Sequence, residues 1–324
     1  MRRVRRFLIE TAAGLIWLGV LGVGVGEGQG AAPAPQSVLA LEGQGVYRSA
    51  CAACHGLSGD GEGPAARSIN PRPRDFTAAV FKFRSTPSGA LPTDSDLFRT
   101  ISEGVPGTWM PAWEDLLSEK QRWAVVAYLK TLVPDFQFEF AEDAPLLLPS
   151  GLPEIASASE GRLVYLVLKC WDCHGMEGRG NGPSAGTLQD DWERSIKPYD
   201  FTRGDYKAGG QPEDIYRTLR TGLSGTPMPA YEPGVVLYPG GSSPDLSQYS
   251  EDLGPEEVEA LRDYLASQPD RSALDSMSED DKAELVGLRL WSLVAYLQSL
   301  SRGRSFFHFL FVEDPNATPQ RRAP

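Results

Sequence analysis

The strongest constraint on this chain is a Cys-x-x-Cys-His motif that occurs twice. The first copy places its cysteines at Cys51 and Cys54 and its histidine at His55. The second copy, at residues 170–174, uses the other two of the chain's four cysteines. Two thiols three positions apart can each add across a vinyl group of a haem, and the histidine that follows can then reach the iron. The two motifs therefore predict two covalently attached haems of the c type.

A methionine follows each motif at nearly the same distance. Met110 lies 55 positions after His55, and Met228 lies 54 positions after His174. Both stand in a loop of the form Gly-Thr-x-Met-Pro-Ala. An iron bound by histidine on one face needs a ligand on the other, and methionine is a ligand that c-type haems use. We predict covalent attachment through Cys51, Cys54, Cys170 and Cys173, and axial ligation by His55, Met110, His174 and Met228.

Zinc binding, dithiol redox chemistry and disulfide formation are the other uses of such cysteines. Zinc needs four nitrogen or sulfur ligands, and four cysteines with three histidines are enough for one such site. A redox dithiol would need a βαβ pattern, which this chain lacks. None of these uses explains two matched methionines. Met176 is predicted to be a packing residue. Met277 has no repeat partner and precedes a helix, so it is not expected to be a ligand, and His308 stays open as a replacement for one methionine.

Other segments recur in the same order around the two motifs. Thr93 with Asp96, and Ser118 with Gln121, have the spacing of helix capping pairs, so helices are predicted to begin there. No stretch of the chain has the pattern of a sheet domain. The recurring segments are a glycine loop (59–64 and 178–183), an Asp-Phe-Thr tripeptide (75–77 and 200–202) and an aromatic closing helix (123–129 and 291–297).

This order of helix, haem motif, glycine loop, methionine loop and closing helix resembles the class I cytochrome c family. The resemblance covers roughly residues 38–302, less an insertion in the second unit. It implies a mainly α fold with two tandem domains, long loops and two haem c groups.

Three further expectations come from that resemblance. In the family, the first and last helices cross at a glycine–aromatic contact, which would fall on Gly43, Tyr47 and Tyr128 here. In the second unit Gly161 and Tyr296 correspond, but Tyr165 lies five residues before its cysteine and Tyr47 only four, so Tyr165 and Leu166 both stay open. A loop proline carbonyl accepts a hydrogen bond from the proximal histidine in the family, and Pro64 and Pro183 are the candidates.

The N-terminus predicts export from the cytoplasm. Four arginines precede an apolar run, the arrangement of an export signal. A cleaved signal and a retained membrane anchor both stay open, so the protein is expected in the periplasm or on the outer face of the cytoplasmic membrane, soluble or anchored. We predict a signal or anchor helix in residues 1–27, a tether in 28–37, domain 1 in 38–140, a linker in 141–158, domain 2 in 159–305 with an insertion at about 232–280, and a tail in 306–324.

Charge and ligation together indicate the function class. A net charge of −12 excludes a nucleic-acid partner and favours redox partner proteins with a basic docking surface. If histidine and methionine close both irons, neither has a position for substrate, so the protein is expected to relay electrons between respiratory-chain partners. It would do so as a carrier or as the cytochrome subunit of an oxidoreductase complex, and would not itself be an enzyme. A peroxidase-like dihaem enzyme and a haem gas sensor are the alternatives, and each needs one open iron.

Overall fold

The computed structural model describes residues 37–133, 145–146, 153–237 and 253–311. These residues form helices and loops, with one isolated β-bridge between Gln189 and Ser195 and no strand among them. The mainly α prediction is confirmed. No helix in the described ranges is both long and apolar enough to cross a bilayer. The predicted signal or anchor, and most of the tether and linker, lie outside these residues.

Residues 37–133 contain the first set of helices, and three of these begin with a side-chain cap. Ser37 caps the first helix by accepting a hydrogen bond from the backbone N–H of Ala40. The predicted capping pairs are both present, since Thr93 bonds reciprocally with Asp96 and Ser118 with Gln121. The helices are α1 (Val38–Ala50), α2 (Ala52–His55), a 3₁₀ turn (Ala66–Ser68), α3 (Asp94–Glu103) and α4 (Glu119–Leu132).

The second half of the chain repeats this set and adds helices from the insertion. A proline begins α9, and α11 continues beyond position 305, where we expected the domain to end. The helices are α5 (Ala158–Val167), α6 (Cys170–His174), a 3₁₀ turn (Phe201–Arg203), α7 (Pro212–Thr221), α8 (Pro233–Leu237), α9 (Pro255–Ser267), α10 (Arg271–Ser276) and α11 (Glu279–Phe311).

In each domain the first and last helices cross where a glycine lets the backbones touch. A Cβ atom on Gly43 would lie 1.8 Å from the carbonyl oxygen of Ala124, and one on Gly161 would lie 1.9 Å from that of Ser292. Beside the first crossing the rings of Tyr47 and Tyr128 lie 5.1 Å apart. Any side chain at either glycine would therefore force α1 from α4, or α5 from α11.

Tyr165, and not Leu166, makes the equivalent contact in the second domain. Its ring lies 5.3 Å from that of Tyr296. Leu166 is equally buried, but it packs in a different cluster with Leu261. The extra residue before the haem motif is accommodated at Lys169, whose φ of 55° breaks the helix between α5 and α6.

The two domains contact one another through a buried arginine of the first. Arg84 is only 1% exposed. Its guanidinium donates hydrogen bonds to the carbonyl of Thr221, at 2.6 Å, and to the hydroxyl of Ser224 in the second domain. It also donates to the carbonyls of Phe81 and Pro87 in its own loop. These bonds satisfy the buried charge without a carboxylate and connect the first domain to the end of α7.

Candidate functional site

Each Cys-x-x-Cys-His motif forms a single helical turn anchored by a buried tyrosine. The N–H groups of Cys54 and His55 bond to the carbonyl of Cys51 at 3.1 and 2.9 Å, so both thiols lie on one face of the turn. Gly56, with φ of 79°, ends the turn, and its carbonyl accepts a 2.8 Å bond from the Tyr47 hydroxyl. The second domain repeats this arrangement with Gly175 and Tyr165, at 2.6 Å.

The two histidines are held in one tautomer by backbone carbonyls. Nδ1 of His55 lies 3.0 Å from the carbonyl oxygen of Arg74, and Nδ1 of His174 lies 2.9 Å from that of Tyr199. Because a carbonyl only accepts, each Nδ1 carries the proton and each Nε2 keeps a free lone pair. Burial lowers the pKa of both imidazoles, which keeps them neutral, as a metal ligand must be.

The prediction that Pro64 and Pro183 supply these carbonyls is wrong. Both prolines are exposed and lie beside the motif turns. Their neighbours fix them there: the N–H groups of Gly63 and Ala65 bond to the carbonyls of Cys54 and Ala53, and the second domain has the same pair of bonds around Pro183. The histidines are instead reached by the later Asp-Phe-Thr loops.

Local side-chain chemistry builds the Asp-Phe-Thr loop. The Asp75 carboxylate accepts hydrogen bonds from the N–H and the hydroxyl of Thr77, at 2.8 and 2.6 Å. Between them, Phe76 donates its N–H to the carbonyl of Gly59 at 2.7 Å and stacks on His55 with ring centres 4.6 Å apart. The loop thereby brings the Arg74 carbonyl to the imidazole.

The second loop is built in the same way. Asp200 caps Thr202, and Phe201 bonds to Gly178 at 2.8 Å and stacks on His174 at 4.4 Å. The sequence shows the repeated tripeptide but does not reveal its role.

The two methionine loops have the same backbone path. The carbonyl of Met110 accepts a 3.0 Å bond from the N–H of Val105, and that of Met228 accepts a 3.2 Å bond from Leu223. In each loop the threonine two residues earlier accepts a bond from the methionine N–H, at 3.1 Å in the first and 3.3 Å in the second. The repeated Gly-Thr-x-Met-Pro sequence thus specifies one loop structure at two places.

In the first domain these elements surround one cavity of about 210 Å³. Cys51, Cys54, His55 and Met110 all contribute to its wall. The rest of the wall is mainly apolar, and the indole N–H of Trp113, which lies in it, is buried without a hydrogen-bond partner. An apolar wall, two thiols, a neutral imidazole and a donor in need of an acceptor fit a haem.

In the second domain, Cys170 and Met228 pack against one apolar cluster. Phe201, the ring that stacks on His174, and buried Tyr231 belong to the same cluster. The Tyr231 hydroxyl lies 3.5 Å from the sulfur of Cys170. The structure thereby places Cys170, Met228 and, through Phe201, His174 around one apolar cluster.

The thiols of Cys51 and Cys170 are uncharged at neutral pH, and none of the four thiols forms a disulfide. Burial raises the pKa of Cys51 and of Cys170 to about 11. All four cysteines are free, so the disulfide alternative has no support in this structure. Met176 packs in the separate small cluster around Leu166.

Comparison with known proteins agrees with this geometry. The family model "Cytochrome C oxidase, cbb3-type, subunit III" matches residues 39–129, and the model "Cytochrome c" matches residues 158–269. Cytochrome c55X of Paracoccus denitrificans is 34% identical over 87 residues, which are 26% of this chain and 68% of that protein. A chain of the reducing HAO-like protein complex of Kuenenia stuttgartiensis is 37% identical, with a TM-score of 0.59 over 80% of this chain and 96% of that one.

Proposed function

Since the chain belongs to the cytochrome c family and has two haem c-binding domains, we propose that it relays electrons between protein partners and performs no substrate chemistry itself. The observation that supports this most directly is the repeated methionine loop, which has the same hydrogen bonds at Met110 and Met228. Equivalent loops favour two irons that are both closed.

The chain's own residues would hold each haem in three ways. Cys51 and Cys54 would form the thioether links in the first domain. His55 would bind the iron through Nε2, because the Arg74 carbonyl holds its Nδ1. Met110 would supply the second axial ligand, and the bound haem would supply one-electron redox chemistry. In the second domain the same roles fall to Cys170, Cys173, His174 and Met228.

The hydrogen bond from each histidine Nδ1 to a backbone carbonyl also affects electron transfer. A hydrogen bond from Nδ1 fixes the ring orientation and makes Nε2 a stronger donor to the metal. The ring stack on Phe76 restricts rotation of the imidazole further. A rigid ligand set suits a carrier, because little has to rearrange between the oxidised and reduced states.

The wider setting proposed for the chain rests on its relatives. The Kuenenia stuttgartiensis chain is part of a protein complex, and the first domain matches a subunit of an oxidase. We propose that this chain likewise works with redox partners, as a carrier or as the cytochrome subunit of an oxidoreductase. Residues 1–27 would direct its export, and the domains would extend over residues 38–140 and 159–305.

Ligand binding to the reduced protein tests the carrier proposal. We expect the native dihaem protein to bind no stoichiometric carbon monoxide and to react slowly with peroxide or nitrite. Met110→Ala is the positive control, since it opens one iron and should bind about one equivalent of carbon monoxide. Fast peroxide turnover, or carbon monoxide binding by the native protein, would instead favour a peroxidase-like enzyme or a gas sensor.

Haem content is tested separately by mass spectrometry. The mature polypeptide should retain two haem masses after acid-acetone extraction. A variant in which Cys170 and Cys173 are both serine should retain one. Loss of both haems in that variant, or fewer than two in the native chain, would contradict the assignment of one motif to each haem.

A further inference from the structure

The wall of the first-domain cavity carries an unbalanced positive charge. Four cationic side chains contribute to it, and none of the wall residues is an aspartate or glutamate. Arg72 is neutralised by Glu62 at 3.0 Å. The other three, Arg74, Lys82 and Lys207, form no ion pair within the described part of the chain.

Lys207 comes from the other domain. It follows the 3₁₀ turn Phe201–Arg203 and reaches the first-domain cavity from there. Its segment is fixed at Tyr206, whose hydroxyl donates a 3.0 Å bond to the carbonyl of Leu297. The neighbouring carboxylate, Asp205, attracts Lys207. It is bonded to Arg203 and Tyr199, however, and forms no ion pair with Lys207.

The contact between the domains at this place is well defined. Arg74 lies over the ring of Trp192 from the second domain, 4.8 Å from its centre. This is a cation–π contact and not an ion pair. Asp75, Asp190 and Asp191 attract the guanidinium from outside the wall, but none of them forms an ion pair with it. Arg84 connects the same two domains through its bonds to Thr221 and Ser224.

Lys82 is close enough to the other two unpaired cations to be affected by their charge. Burial, with the positive charges of Arg74 and Lys207, lowers the pKa of Lys82 to about 8. Asp190 acts in the opposite direction, but its carboxylate accepts hydrogen bonds from the backbone N–H groups of Trp192 and Arg194. A haem brings two propionate carboxylates, which are the charge that this wall lacks.

We propose that Lys207 of the second domain, together with Lys82 of the first, binds the propionates of the first-domain haem, so that this cofactor joins the two domains. This inference rests on the proposed haem site. It adds that the site is completed by a residue outside its own domain. The reduction potential of the first haem therefore depends on how the second domain is placed.

Redox titration of the full dihaem protein tests the proposal. Met110→His should shift one of the two one-electron components, and this identifies the first-domain haem. Lys207→Gln and Lys82→Gln should each shift that same component to lower potential, because removing a positive charge favours the oxidised state. We expect about a three- to tenfold increase in the oxidised-to-reduced ratio at fixed potential, where tenfold corresponds to about 59 mV for one electron.

Two control variants show whether the shift comes from the charge at this site. Lys207→Arg keeps the charge and should keep the native potential, whereas Lys120→Gln, on an exposed lysine paired with Glu42, should change neither component. If Lys207→Gln leaves the identified component unchanged, or moves only the other one, the inference fails. If Met110→His moves neither component, the axial ligand assignment itself fails, which is a different result.

Discussion

The helix crossing at Gly43 allows a sharp test of the fold around the first haem. In Gly43→Ala the new methyl group would lie 1.8 Å from the carbonyl oxygen of Ala124 and 2.4 Å from its carbon. The obstacle is helix backbone, which cannot rotate away as a side chain can. Normal contact begins near 3.4 Å, so α1 and α4 would have to separate by roughly 1.5 Å.

The free-energy cost of separating α1 from α4 depends on the contacts that are lost. Overpacking a core costs about 1–3 kcal/mol, and we expect the upper end of this range because a backbone group is in the way. The contact between Tyr47 and Tyr128 would also be weakened. A loss of about 3 kcal/mol corresponds to an increase of roughly 150-fold in local opening.

Hydrogen exchange of the full dihaem protein, followed by peptide mass spectrometry, measures this locally. Peptides from α1 and α4 should exchange roughly 100-fold faster in Gly43→Ala, while those from α5 and α11 should be unchanged. Gly161→Ala, where the methyl group would lie 1.9 Å from Ser292, should give the reverse pattern. The matched control is Gly45→Ala in α1, where a Cβ meets nothing within 4 Å.

Gly45→Ala should stabilise α1 by about 0.5–1 kcal/mol through helix propensity alone. Equal protection from hydrogen exchange in Gly43→Ala and Gly45→Ala would refute the helix crossing. It would also contradict the anchoring of the haem motif by Tyr47 of α1. Faster exchange in both domains of Gly43→Ala would show that the effect is not local.

Three further outcomes are expected. Met110→Ala and Met228→Ala should each convert one of the two haems to a high-spin form in the optical spectrum, while Met176→Ala should keep both low-spin; unchanged spectra in both ligand variants would reopen the choice of ligand. Arg84→Met removes hydrogen bonds to buried carbonyls and should lower the unfolding free energy, measured by denaturant titration, by about 3 kcal/mol. The control Arg67→Met, at an exposed arginine, should lower it by less than about 0.5 kcal/mol. Equal effects of the two substitutions would contradict the structural role of Arg84. Reduction by a basic donor protein should slow as salt rises, because exposed charges are screened beyond about 10 Å at 0.1 M; a rate indifferent to salt would exclude electrostatic docking.

The parts of the fold that sequence predicts well are those determined by neighbouring residues. The capping pair of Thr93 and Asp96 lies within one helical turn, so four consecutive residues contain both partners. Each copy of the haem motif is likewise contained in five consecutive residues. Duplication then adds information, because each domain can be compared with the other: Gly43 and Gly161 form a matched pair in the sequence, and both lie at helix crossings.

The parts that sequence did not predict depend on backbone path or on distant contacts. Tyr165 could not be chosen over Leu166, because nothing in the residue type of Lys169 specifies its left-handed conformation. The contact of Arg84 with Thr221 joins residues 137 positions apart, and no local pattern indicates it. Any residue can supply a carbonyl, so the acceptor for His55 had no side-chain signature.

The main-chain acceptors of the two histidines affect how the two domains can diverge. Because backbone oxygens orient the imidazoles, the side chains at those positions are free for other uses. At one position Arg74 stacks on Trp192, and at the other Tyr199 donates a 2.7 Å hydrogen bond to Asp205. No single substitution can delete either oxygen. Selection at these sites therefore acts on the course of the loop, while the residue it presents outward can change as the protein acquires new neighbours.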